Sequence, residues 1–148
     1  MTSANNVETD AGSTNPNLIA ALAYAARGWH IYPSFPGTKA KTNLKWRTAS
    51  TNSKKQIRHW WTKSPKATIC LDCEKSGLAV LDLDQKDGKD GRLALDTLEI
   101  LYGGLPPTLM QRTTSGGTHL IFKGRIKTTV GANDKGGAIK VGLAACRT

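Results

Sequence analysis

Residues 76–84 read Ser-Gly-Leu-Ala-Val-Leu-Asp-Leu-Asp, an aliphatic run that ends in two carboxylates. The run predicts a β-strand from Leu78 to Leu83. Because side chains alternate along a strand, Asp82 and Asp84 are expected on one face and the intervening leucines on the other. Two carboxylates on one face repel, and a divalent cation removes that cost while using their oxygens as ligands. The stretch predicts a candidate Mg²⁺ or Mn²⁺ site, with a strand that simply ends in solvent as the alternative.

Helices and strands are predicted on both sides of this run. A first helix is predicted to begin at Asn15-Pro16, an N-cap with a following proline, and to end at Gly28. A second is capped by Ser53 and runs up to Ser64. A third covers Arg92 to Tyr102. The other predicted strands are Trp29–Tyr32 (broken by Pro33), Ala67–Leu71, Thr108–Thr113, His119–Phe122 and Ala138–Leu143. This mixture favours an α+β fold in one domain, residues 15–148, after a disordered polar tail at residues 1–14.

Charge is unevenly distributed along the 148 residues, whose formal net charge is +10. No acid occurs between Asp10 and Asp72, and this interval holds ten basic residues. Such a balance favours a polyanionic partner, nucleic acid before membrane, although a solvated basic surface would look the same. No apolar run approaches the roughly 20 residues of a spanning helix, and no secretory signal is evident. We therefore expect a soluble, cytoplasmic protein without a membrane partner.

A second group of candidate residues lies in Arg-Thr-Thr-Ser-Gly-Gly-Thr-His, residues 112–119. The segment predicts a hairpin turn, in which glycines let the backbone approach a ligand and exposed N–H groups can bind anions. Ser115 adds a hydroxyl, and His119 begins the next strand. The alternative is an ordinary turn with an incidental histidine. Neither a P-loop nor a dinucleotide-binding glycine pattern is present, so any phosphate binding would use a different device.

Two alternative interpretations apply to parts of the sequence, a zinc site and a sugar-nucleotide transferase. Cys70 and Cys73 have the spacing of half a zinc site, which Cys146 and a histidine would have to complete. The simpler interpretation places Cys70 in a buried strand and Cys73 in the following turn. Asp-x-Asp also occurs in metal-dependent sugar-nucleotide transferases, but that function explains neither the basic stretch nor the Ser-Gly-Gly-x-His turn.

Several separated motifs, in order, resemble one family. They are Ala-Leu-Ala-Tyr-Ala-Ala-Arg-Gly-Trp (21–29), Pro-Gly-Thr-Lys (36–39), Gln-Ile-Arg-His-Trp-Trp (56–61), the 76–84 stretch, Leu-Pro-Pro-Thr-Leu (105–109) and Arg-Thr-Thr-Ser-Gly-Gly-Thr-His-Leu-Ile-Phe (112–122). Over about residues 18–143 the chain resembles the bifunctional DNA primase/polymerase N-terminal domain of the archaeo-eukaryotic primase superfamily, which is common in phages and plasmids.

The resemblance implies a catalytic sheet of RNA-recognition-motif-like topology and metal-dependent primer synthesis or extension from a DNA template and nucleoside triphosphates, with a helicase as a possible partner. It places the metals on Asp82 and Asp84 and the triphosphate on His119. Ser115, Gly116 and Gly117 line the phosphates, while Arg112 and Lys39 are further candidates for nucleotide contact.

The chain departs from the family at one position. The family's third metal-binding acid corresponds to Ala144 in our alignment, within Gly142-Leu143-Ala144, and we expect the closing strands of the family to be absent. We therefore expect a catalytic domain shortened at its C-terminal end and weakened in phosphoryl transfer. The alternative is a non-catalytic nucleic-acid-binding module that keeps the fold.

Overall fold

A computed structural model describes residues 14–38, 41–113, 115–125, 129–130, 139–142 and 146–147. Its helices are α1 (Pro16–Ala26), α2 (Trp46–Ala49), α3 (Lys54–Lys63), α4 (Cys73–Ser76) and α5 (Gly91–Tyr102). Its strands are β1 (His30–Ser34), β2 (Thr68–Asp72), β3 (Leu78–Leu83), β4 (Leu109–Arg112), β5 (Thr118–Lys123), β6 (Thr129–Val130), β7 (Ile139–Gly142) and β8 (Cys146–Arg147). The predicted disordered tail lies almost entirely outside the described residues.

The strands form two antiparallel sheets. One has the order β1-β2-β8 and the other β4-β5-β3-β7-β6. Because β5 is antiparallel to both β3 and β4, those two strands run parallel on either side of it, and α5 provides the crossover between them. The α+β prediction is confirmed.

The larger hydrophobic core lies where α1 and α3 cover the sheets. Asn15 accepts a hydrogen bond from the Asn17 N–H, so its side chain caps α1, and Ser53 caps α3 in the same way. Ile57 and Trp61 turn one face of α3 inward, and the Trp61 indole N–H donates to the Ala67 carbonyl at 3.1 Å. Strand residues Leu78 and Val80 belong to this core. The apolar face of α3 is thus buried as predicted. In α1, Leu18, Leu22 and Ala25 are buried, but Ile19, which shares their helical spacing, is 54% exposed.

A smaller core lies on the other side of β3. Leu83 packs there with Leu95 of α5, Leu120 of β5 and Ile139 of β7. The side chains of β3 therefore contribute alternately to two cores, as expected for a strand covered on both faces. This arrangement fixes the face on which Asp82 lies.

Two local predictions were wrong. β1 continues through Pro33 to Ser34, because it is an edge strand of its sheet and an edge position does not require the missing N–H. The segment after Asp72 is the short helix α4 rather than a plain turn, since the Asp72 carboxylate accepts from the Lys75 N–H at 3.1 Å and caps it. Within the described ranges, no helix combines the length and apolar character that a membrane crossing requires.

Candidate functional site

The two carboxylates lie at the C-terminal end of β3. Asp82 is within the strand and its side chain is 34% exposed, whereas Asp84 follows the strand and is buried at 8%. Leu83 between them packs into the smaller core, so alternation directs Asp82 away from α5. The Asp84 carbonyl accepts from the Gly91 N–H at 2.8 Å, which ties this strand end to the start of α5.

His119 lies directly opposite Asp82 on the neighbouring strand β5. Its Nε2 is 3.5 Å from the Asp82 Oδ1, and the imidazole is only 15% exposed. The two side chains form an ion pair when the imidazole is protonated. The Nδ1 atom of His119 is buried and has no hydrogen-bond partner among the described residues. The residues of the 76–84 and 112–119 motifs thus meet through strand pairing, 37 positions apart in sequence.

The turn between β4 and β5 closes beside this pair. The Thr113 N–H donates to the Gly117 carbonyl at 2.9 Å, and the Gly116 N–H donates to the Thr113 carbonyl at 3.0 Å. Gly116 has φ +88°, which favours glycine, and Ser115 is exposed with its hydroxyl 3.2 Å from that of Thr113. This confirms the predicted hairpin and leaves a serine hydroxyl exposed near His119.

Gly117 holds the turn against β3. A Cβ at this position would lie 2.6 Å from the Leu83 carbonyl oxygen and 3.2 Å from the Thr113 hydroxyl. The turn therefore packs directly on the residue between the two acids. Of the sequence-predicted site residues, the structure brings Asp82, Asp84, His119, Gly117 and the Ser115–Gly116 tip to one end of the sheet.

Arg112 and Lys39 are placed differently. Arg112 is exposed and pairs with Thr118, one position from His119, so alternation puts it on the opposite face of the sheet. The β4 residue opposite His119 is Gln111, which the sequence analysis missed. The sequence signal for Gln111 is its position in the predicted hairpin, but it identifies Gln111 only when the register of that hairpin is known. Lys39 lies outside the described residues.

The loop after β3 serves a structural role. Asp87 occupies a turn with φ +55°, and Asp90 caps α5 by accepting from the Leu93 N–H at 3.0 Å and from the Gln85 side-chain amide at 2.7 Å. These hydrogen bonds, that of Leu93 first, lower the pKa of the exposed Asp90 carboxyl below its ordinary value. Neither acid joins the Asp82–His119 pair.

Asp82 and Asp84 are the candidate ligands for a divalent metal. In the described part of the chain, no three His, Cys, Asp or Glu side chains group closely enough to hold an ion by themselves. Mg²⁺ is, however, commonly held by one or two carboxylates together with substrate phosphates, and Asp82 and Asp84 fit that donor set. Cys70 and Cys73 are both buried, and among the described residues they belong to no group of three metal-ligand side chains, so the zinc alternative finds no support there.

Strand β7, which pairs with β3 on the side away from β5, carries no acid opposite Asp82. In the register of β3 with β7, Lys140 is the partner of Asp82 and Ile139 that of Leu83. Ala144, the predicted position of the missing acid, lies outside the described residues, as does Leu143. Strand register thus offers a second candidate for the third-acid position, namely residue 140.

Comparison with known proteins shows the family of the chain. A search of curated proteins gave no match. The family model described as "Bifunctional DNA primase/polymerase, N-terminal" matches residues 21–144, which include β3, the hairpin turn and His119. The chain belongs to the family of bifunctional DNA primase/polymerase N-terminal domains.

Proposed function

We propose that this chain is a metal-dependent nucleotidyltransferase domain that synthesises or extends primers on a DNA template. The observation that carries the proposal is the pairing of Asp82 with His119, 3.5 Å apart at one end of β3 and β5 and next to the Ser115–Gly117 turn. A carboxylate beside a positively chargeable donor and a glycine turn suits the binding of a metal-bound triphosphate. Family membership supports the same reaction.

Each residue has a distinct role in this proposal. Asp82 and Asp84 would hold Mg²⁺ or Mn²⁺, which would supply charge neutralisation at the phosphates and activation of the attacking hydroxyl. His119, opposite Asp82 in the pairing of β3 with β5, binds the triphosphate. The Ser115 hydroxyl, with Gly116 and Gly117, lines the phosphates, and the close contact of Gly117 with Leu83 keeps the turn in place. Lys39 remains a candidate for a contact with the nucleotide, whereas Arg112 lies on the opposite face of the sheet from the Asp82–His119 pair.

The strand order supports an RNA-recognition-motif-like catalytic sheet. In β4-β5-β3-β7, two parallel strands joined through a helix enclose a third, antiparallel strand, and a fourth pairs on the outer side of β3. The DNA template would bind through the basic first half of the chain by salt-sensitive phosphate contacts. A helicase partner, a phage or plasmid origin and a cytoplasmic location stay predictions.

A primer-extension assay tests the proposal. The unmodified chain is compared with the double variant Asp82→Asn, Asp84→Asn in the presence of Mn²⁺, with dinucleotide synthesis as a second readout. We expect weak synthesis by the unmodified chain and a loss of at least about a hundredfold in the double variant, because both metal ligands are removed. Asp87→Asn is the matched control, since it removes an exposed carboxylate of the same loop region and asparagine tolerates the positive φ. Synthesis that survives the double substitution would overturn the metal assignment.

The second candidate function is a nucleic-acid-binding module without catalysis. The observation that favours it is the register of β3 with β7, which places Lys140 and not an acid opposite Asp82. Absence of synthesis by the unmodified chain, together with salt-dependent DNA binding that the double variant retains, would establish this alternative.

A further inference from the structure

A cleft of about 340 Å³ lies between α1 and the β4 edge of the five-stranded sheet. Ala23, Tyr24 and Trp29 line it on the helix side, while Leu109, Gln111 and Ile121 line it on the sheet side. Leu109 is 47% exposed, so apolar surface lies open to solvent at this edge. The role proposed above for Asp82 and His119 does not use this cleft.

The cleft lies next to the Asp82–His119 pair along the same face of the sheet. Gln111 lines the cleft and is the register partner of His119, while Ile121 lies two residues beyond His119 on the same face of β5. Two residues along a strand span about 6.7 Å, which is within the reach of one nucleotide. The order along this face is therefore the glycine turn, then the acid–histidine pair, then the cleft.

The helix side of the cleft presents aromatic rings. Tyr24 and Trp29 stack with their ring centroids 5.5 Å apart and an interplanar angle of 8°, and the Arg27 guanidinium lies 5.5 Å from the Trp29 ring. Gly28, with φ +80°, reverses the chain after α1, and the Trp29 N–H donates to the Tyr24 carbonyl at 3.2 Å. This helix end thus holds a flat, positively charged stack of the kind on which nucleobases pack.

We propose that the cleft binds the base of the incoming nucleoside triphosphate. This inference rests on the proposed function, because that function places the phosphates at the other end of the same sheet face. The rings of Tyr24 and Trp29 supply apolar and stacking contact, and Gln111 adds a polar residue to the lining on the sheet side. The volume is near the lower limit for small-molecule pockets, which suits one base better than a run of template strand.

Steric occlusion of the cleft tests this assignment with little risk to folding. Ala23 is exposed and lines the cleft, so Ala23→Phe fills it, whereas Ala26→Phe places the same ring at an exposed position of α1 outside the lining. Equilibrium binding is measured for a non-hydrolysable deoxynucleoside triphosphate, inorganic tripolyphosphate and a short single-stranded oligonucleotide, each with Mn²⁺. Thermal unfolding checks that each variant folds.

We expect Ala23→Phe to weaken binding of the nucleoside triphosphate about tenfold or more, because the base loses its stacking surface. Tripolyphosphate binding stays unchanged, and Ala26→Phe behaves as the unmodified chain. Tyr24→Leu, which removes one ring but keeps an apolar helix former, should reproduce the selective loss. Trp46→Leu is its control, because Trp46 stacks on Tyr32 with Arg47 over it but lies outside the cleft lining.

Three results would overturn the inference about the base and leave the proposed function standing. They are unchanged nucleoside triphosphate binding by Ala23→Phe, an equal loss in Ala23→Phe and Ala26→Phe, and a loss confined to the oligonucleotide, which would assign the cleft to a template base. If the unmodified chain binds neither the nucleoside triphosphate nor tripolyphosphate, the proposed nucleotide site itself fails, and this inference fails with it.

Discussion

The backbone of Gly117 lies against the end of β3 so closely that its missing side chain becomes a structural requirement. We expect Gly117→Ala to destabilise the fold by about 1–3 kcal/mol, because the Leu83 carbonyl that the new Cβ would meet is backbone and must be displaced. Urea unfolding measures the effect. Gly104→Ala is the control, since a Cβ there meets nothing within 4 Å and φ is not positive. Equal stability of the two variants would contradict the contact.

Tyr32 makes stability depend on alkaline pH. The side chain is 1% exposed, and burial, with a smaller effect of neighbouring Cys70, raises the pKa of its hydroxyl above the ordinary value near 10. Above about pH 10 the unfolded chain loses this proton while the folded chain retains it. The contribution of the buried Tyr32 hydroxyl to the free energy of unfolding is therefore complete below about pH 10 and is lost as the pH rises.

Tyr32→Phe should flatten this alkaline loss by up to about 1.4 kcal/mol per pH unit, as measured by urea unfolding between about pH 9 and pH 11. Tyr102→Phe is the matched control, because it removes the hydroxyl of a tyrosine whose side chain is 82% exposed. Parallel curves for Tyr32→Phe and the unmodified chain would show that the Tyr32 hydroxyl does not titrate differently in the two states.

At the scale of elements, the register of β7 against β3 decides which residue is placed opposite Asp82. In that register, residue 140 is opposed to Asp82. Lys140→Asp would introduce a third carboxylate at that register position, whereas Lys140→Asn removes the cationic residue without adding a negative charge. We expect Lys140→Asp to bind Mn²⁺ about tenfold more tightly than Lys140→Asn in calorimetric titrations with nucleotide present. Equal affinities would return the third-acid position to the segment around Ala144.

Element prediction succeeded where one local signal dominated. The caps at Asn15 and Ser53 placed α1 and α3 correctly, and the run from Leu78 to Leu83 is β3 with the predicted bounds. The short helix α2 was missed, because its four residues carry no apolar period and no side-chain cap. It is held partly by the stacking of Trp46 on Tyr32, a contact made across the fold.

At the scale of the whole molecule, the acid that ends the basic stretch of the sequence does not contribute negative charge to the surface. Asp72, the first acid after Asp10, is 2% exposed and accepts a hydrogen bond from the Ser50 hydroxyl at 2.5 Å. The buried faces of α3 are apolar, so its lysines Lys54, Lys55 and Lys63 are exposed. This surface is positioned to attract a phosphate backbone.

The salt dependence of binding to single-stranded DNA tests that surface. The double variant Lys54→Glu, Lys55→Glu should reduce the slope of log K against log salt by about 0.7 for each phosphate that the protein no longer neutralises. Lys123→Glu, Arg125→Glu changes the net charge equally at the end of β5 away from His119, and we expect it to keep the slope. If both double variants change the slope equally, binding follows net charge alone and α3 has no particular role.

The sequence by itself determined the α+β class, the hairpin, the strand that carries the acids and the family, because each depends on local periodicity, turn chemistry or ordered motifs. Only the tertiary structure decided that His119 pairs with Asp82, that Gln111 rather than Arg112 shares their face, and that Lys140 is opposed to Asp82. The physical reason is register. A shift by one residue exchanges every side chain between the two faces of a sheet, and register is set by pairing between strands that are distant in sequence.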